Sequence, residues 1–123
     1  MRHSFDCATW WTLPTGTDNT ICDVPGVQVG NTDVRGEGRC TGVTAVLPHG
    51  GDMFRQPVTA GLSVINGFGK SVGLIQLAEL GEIETPILLT NTFGVGPCST
   101  ALIRRAVASN PENSSGSAST CGC

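Results

Sequence analysis

Residues 61–109 read GLSVINGFGKSVGLIQLAELGEIETPILLTNTFGVGPCSTALIRRAVAS, and their pattern decides the fold class. Gly61 to Ile65 is a short apolar run of strand length, closed by the loop Asn66-Gly67-Phe68-Gly69. Ser71 stands where it can cap a helix running to Leu80, with Val72, Leu74, Ile75, Leu77 and Ala78 as a broad apolar stripe. Gly81 then sits where helices commonly end. Ile87 to Thr90 is a near-continuous apolar strand of the kind buried on both faces. A second loop, Asn91 to Gly96, leads into a helix with Pro97 at its first position and Ala101, Leu102, Ile103, Ala106 and Val107 inside. Strand, loop and helix, twice over, is an α/β pattern.

Upstream, Thr41 to Leu47 is β-branched and bounded by Gly42 and Pro48, which predicts a strand. Residues 48–58 read as a loop around Gly50-Gly51, and residues 31–39 as a polar loop. Ile21 to Val29 is short and extended, interrupted by a type II-like turn at Pro25-Gly26. Residues 1–19 show no clear period and end in turn-rich sequence. Downstream, residues 112–123 (ENSSGSASTCGC) are small and polar, a composition that predicts a disordered Ser/Gly/Cys tail and a chain cut off after a helix.

Charged residues make up 14% of the 123, against about 25% in an ordinary soluble domain. So weakly charged a surface suggests cover by further chain or by other subunits. The net charge of −3 and the absence of any basic cluster beyond Arg104-Arg105 speak against nucleic acid as a partner. No apolar run approaches the ~18–20 residues of a membrane span. The opening residues lack the apolar core of a secretory signal, so a cytoplasmic location is expected. Six cysteines are too sparse at this length for a stapled scaffold. Cys121-x-Cys123 is too tight for a zinc knuckle, and neither His3 nor His49 has a partner at ligand spacing, so no metal is expected.

Two Gly-rich loops that each follow a strand and precede a helix are the candidate sites, because free backbone N–H groups there attract a carboxylate, a phosphate or a developing oxyanion. Gly67-x-Gly69-x-x-x-Gly73 misses the dinucleotide spacing by one residue and no Walker lysine pattern exists. Asn66 and Asn91 open the two loops, either to hold a substrate backbone or to cap a turn. Asp23 reads as the anchor of the turn that follows it, and His49 as a loop residue. Cys98 lies near a helix N-terminus, where a thiolate would be stabilised, yet has no His or Asn partner in view.

Several motifs together resemble one family. Ile21-x-Asp23-Val24-Pro25-Gly26-Val27-x-Val29-Gly30, Thr41-Gly42-Val43-Thr44, Ile65-Asn66-Gly67-x-Gly69, Thr85-Pro86-Ile87, Thr90-Asn91-Thr92 and Val95-Gly96 are similar, in order and spacing, to the DmpA-type aminopeptidases. The resemblance covers about residues 12–111. It implies part of the four-layer αββα fold shared with ornithine acetyltransferases, an α/β (α+β) arrangement, here truncated. It implies a precursor that cleaves itself before a Ser or Thr, whose new amino terminus is nucleophile and base in one residue. Peptides, amino-acid amides and esters are the implied substrates, a homo-oligomer the implied assembly, and no cofactor is needed.

On the same resemblance, residues 1–111 are the N-terminal part of the large subunit, and the nucleophile lies in a C-terminal half without a counterpart here. The substrate-binding residues carried over are Asn66, Gly67, Gly69, Asn91, Thr92, Phe93 and Gly94, and no catalytic residue is carried over. An aminopeptidase portion inactive by itself is the expected function. The alternative is a non-catalytic binding or assembly module derived from the family.

Overall fold

The structure, a computed structural model, describes residues 12–114. It is built on a three-stranded antiparallel sheet ordered β1-β2-β5, with β1 at Gln28–Gly36, β2 at Arg39–Leu47 and β5 at Ile87–Thr90. A two-stranded antiparallel ladder joins β3 (Val58–Thr59) to β4 (Glu82–Ile83). Helix α1 spans Leu74–Leu80 and helix α2 spans Val95–Ser109. The strands predicted at 41–47 and 87–90 and both helices are present, whereas the sheets are antiparallel, which is the α+β arm of the expected class.

Residues 31–39, a loop by composition, form most of a hairpin instead. Strand β1 pairs with β2 without a break from Gln28↔Leu47 to Gly36↔Arg39. The two-residue turn Glu37-Gly38 takes left-handed φ at both positions, 50° and 76°, whose twist matches that of the flanking strands. Little apolar pattern advertises this strand, because Asn31, Asp33 and Arg35 accompany Val29 on one face and Gln28, Thr32 and glycines accompany Val34 on the other.

The extended reading of 21–29 also changes. Ile21–Asp23 is a turn of 3-10 helix, because the Asp23 carboxylate accepts from the backbone N–H of Asp18 (3.0 Å) and of Thr20 (3.1 Å) and folds the chain back. Asp23 is thus the anchor expected of it. The type II-like turn follows as predicted: the Val27 N–H donates to the Val24 carbonyl at 3.1 Å, with Gly26 at φ 90°.

Residues 61–65, expected as a strand, enter no ladder, and Ile65 is 96% exposed. The neighbouring β3–β4 ladder ends where the Ala60 N–H bonds the Gly81 carbonyl, at 2.8 Å. Helix α1 starts at Leu74 behind Gly73 at φ 88°, so Ser71 does not cap it. Gly81 ends it in left-handed conformation (φ 67°) as predicted. Helix α2 begins two residues before Pro97, which still falls in the first turn, where a missing N–H leaves no intrahelical bond unmade. Strand β5, expected to be buried on both faces, leaves Ile87 and Leu89 exposed at the sheet edge.

Burial is sparse. Among the described residues only Met53 and Asn110 are buried, at 5% and 2% exposure. Asn110 ends α2, where its Nδ2 donates to the Ala106 carbonyl (3.3 Å) and its Oδ1 accepts from Arg55 Nε (3.1 Å). Arg55 also pairs with Asp52 and Glu112, so this cluster ties the 49–56 loop to the end of α2. Pro111–Ser114 continues as a 3-10 turn, and the rest of the predicted tail lies outside the described residues.

Replacing Asn110 with Ala removes a buried partner of Arg55 and leaves a hole at the helix end. Asn110→Ala should lower stability by about 1–3 kcal/mol, read from the denaturant midpoint. An unchanged midpoint would show that the cluster is not what holds loop and helix together.

Candidate functional site

The two Gly-rich loops differ in construction. In the first, the Asn66 Oδ1 accepts from the Phe68 N–H at 3.2 Å, an Asx turn that throws the Phe68 ring outward, and Phe68 is 92% exposed. A methyl placed on Gly67 or Gly69 would meet only open space, so neither glycine is required by packing within the described residues. That leaves their backbone open to approach by a ligand.

The second loop is wound more tightly. Thr92–Gly94 is a 3-10 turn running directly into α2, not an open loop. Asn91 caps it: its Oδ1 accepts from the Gly94 N–H at 2.9 Å, and its Nδ2 donates to Thr41 Oγ1 on β2. Thr90 Oγ1 adds a bond to the Gly42 carbonyl at 3.2 Å. Gly94 is demanded by packing, since a Cβ there would lie 2.3 Å from Thr90 Oγ1. Phe93 is 93% exposed and does not fill a core, and Thr92 is exposed beside it. Among the described residues no hydrogen bond joins this loop to the first.

A separate cleft of about 280 Å³ opens elsewhere, between the 47–54 loop, residues 84–86 and the last turns of α2. Its polar lining includes His49, Asp52, Glu84, Arg105 and Asn110, and none of the seven loop residues contributes to it. Its only sequence signal is the Pro48-His49-Gly50-Gly51 turn, which reads as a loop and nothing more. His49 Nδ1 accepts from the Gly51 N–H (3.0 Å) and Nε2 lies 2.9 Å from the Gln56 carbonyl, so the proton sits on Nε2 and both nitrogens serve the loop.

The ring therefore has no lone pair left to activate a nucleophile. Cys98, half-buried in the first turn of α2, is a free thiol without a hydrogen-bonded imidazole or amide among the described residues. No group of three His, Cys, Asp or Glu among those residues is placed to hold a metal ion. No described helix is long and apolar enough to cross a membrane. What these residues offer is a first loop of open backbone with the Asn66 amide as donor, and a capped second turn, each beside an exposed aromatic ring.

Residues 19–121 match peptidase family S58, a stretch containing the hairpin, both loops and α2. The β-peptidyl aminopeptidase BapA of Sphingosinicella microcystinivorans is 40% identical over 97 residues, 72% of this chain and 24% of that protein. Among solved structures, the PH0078 protein of Pyrococcus horikoshii OT3 superimposes with a TM-score of 0.75 at 44% identity, over 80% of this chain and 31% of its own. The L-aminopeptidase D-Ala-esterase/amidase of Ochrobactrum anthropi, described as a variant of the Ntn-hydrolase fold, gives 0.70 at 32% identity, over 89% and 32%. The chain thus has part of that fold and spans about a quarter to a third of the relatives it matches. The match also continues to residue 121, beyond the end of the motifs that signal it.

Asn91 and Phe93 separate the structural from the exposed part of the second loop. Asn91→Ala should cost about 0.5–2 kcal/mol through the lost cap, whereas Phe93→Ala should leave the unfolding midpoint unchanged. Equal losses for the two would mean that Phe93 packs and that the loop is not an open surface.

Proposed function

The chain belongs to peptidase family S58, and on that premise we propose that it forms the N-terminal part of a self-processing aminopeptidase with an N-terminal Ser or Thr nucleophile. The complete enzyme, in this reading, releases N-terminal residues from peptides, amides or esters, whether L-, D- or β-amino acids. One observation carries it: at 32–44% identity the relatives above match 72–89% of this chain, yet only 24–32% of their own length is covered.

The loops fit the role of substrate walls. Such a site must hold the scissile carbonyl still while the nucleophile's own amine takes its proton. Asn66 keeps its Nδ2 without a partner among the described residues, free to donate to a substrate carbonyl, and Gly67 and Gly69 leave room for backbone to approach. Phe68 and Phe93 present apolar faces for a substrate side chain. Asn91 and Gly94 act one step back, holding Thr92 and Phe93 in place. Homo-oligomeric assembly and a cytoplasmic location belong to the same reading. The exposed apolar residues Ile65, Phe68, Ile75 and Leu89 favour a second one, in which the chain serves as an assembly module for longer relatives.

The purified chain should release nothing above buffer from peptide p-nitroanilides bearing L-, D- and β-residues. Joined to the C-terminal portion of a relative, it should gain turnover that falls on Asn66→Ala with little loss of melting temperature. Turnover by the chain alone that is abolished by Cys98→Ala would overturn this assignment in favour of a cysteine hydrolase. A joined protein that folds but never turns over would favour the assembly module.

A further inference from the structure

We propose that the outer edge of β1 is a self-pairing interface, through which two copies of this chain join their hairpins antiparallel about a two-fold axis at Val34. This rests on the hairpin alone and stands or falls independently of the aminopeptidase reading.

The turn sets which backbone groups are free. Gly36 and Arg39 flank a two-residue turn and form a hydrogen-bonded pair, so Gly36, Val34, Thr32 and Gly30 bond to β2. Arg35, Asp33, Asn31 and Val29 therefore direct their N–H and C=O groups outward, along an edge with no strand beside it. On the far side, β5 pairs only with Val43–Val46 of β2, so the outer half of the hairpin projects as a two-stranded ribbon. Every residue from 28 to 41 is exposed. The outward backbone groups of β1 are therefore open to a further strand.

Composition decides what that further strand belongs to. The ribbon is largely polar, with Val29, Asn31, Asp33 and Arg35 on one face of β1 and Gln28, Thr32 and Val34, with glycines, on the other. No Pro and no bulge in its register bars a further strand from β1, and its charges, Asp33 and Arg35, leave the edge open to a partner that matches them.

The two charges then select a second copy and a register. Asp33 and Arg35 lie on the same face, 3.2 Å apart. With Val34 opposite Val34 of the second copy, each Asp33 faces an Arg35 across the new ladder, and both pairs use outward-directed backbone groups. Registers centred on Asp33 or on Arg35 would set like charges opposite each other, which is unfavourable. Opposite charges two residues apart on an open edge are thus self-complementary in one antiparallel register.

Sedimentation equilibrium of the 123-residue chain tests this. A dimer is expected, and Arg35→Asp or Asp33→Arg should each raise its dissociation constant about tenfold or more. The double swap, Asp33→Arg with Arg35→Asp, should restore it. Val34→Cys in a background free of other cysteines should cross-link the dimer on oxidation. A monomeric chain, a dimer indifferent to the single reversals, or larger species formed through the apolar faces and unaffected by them would each overturn the proposal. So would loss of the dimer when a relative's C-terminal portion is added, because the edge would then belong to that portion.

Discussion

Strand β2 is bonded on both sides, to β1 along its whole length and to β5 across Val43–Val46, and the placement of the other elements of the main sheet follows from it. Its β-branched run, Thr41, Val43, Thr44 and Val46, suits a pleated surface and tolerates two neighbours. Because β5 ends opposite Val43, Thr90 reaches the Gly42 carbonyl and Asn91 reaches the Thr41 hydroxyl. Those two contacts set the point at which the chain turns into α2. One ladder thereby fixes the second Gly-rich loop.

What the ladder does not do is bury apolar surface. Met53 is the only buried apolar residue among those described, while Val64, Ile65, Phe68, Ile75, Leu89 and Phe93 remain open to solvent. The chain spans about a quarter to a third of its relatives, and the missing cover is consistent with that fraction.

Where apolar pattern and special backbone geometry coincide, the fold is legible in the sequence. Strands β2 and β5, the turn at Pro25-Gly26 and the helix end at Gly81 are all of this kind, since β-branched and apolar runs suit a strand, Pro fixes φ, and Gly enters the left-handed region without strain. Strand β1 escapes because its stability comes from backbone pairing and a Glu37-Gly38 turn, which lacks the familiar Asn-Gly signature. The opposite error occurs at 61–65, where the apolar run satisfies a strand template but finds no partner in the described chain. Of the candidate site, the two loops and their asparagines are readable as turn chemistry. That Asn91 is spent on a cap while Asn66 keeps a free donor is a matter of three-dimensional neighbours, and so is the clash that requires Gly94.

The central claim is that these loops and the apolar residues around them await cover by the remainder of a family S58 fold. Amide hydrogen exchange of the chain, measured alone and then with a relative's C-terminal portion bound, tests it most directly. Protection confined to the β1–β2 ladder and α2 in the chain alone, spreading to residues 61–73 and 87–94 on binding, is the predicted result. Strong protection of 61–73 and 87–94 in the chain alone, unchanged by the added portion, would contradict the account.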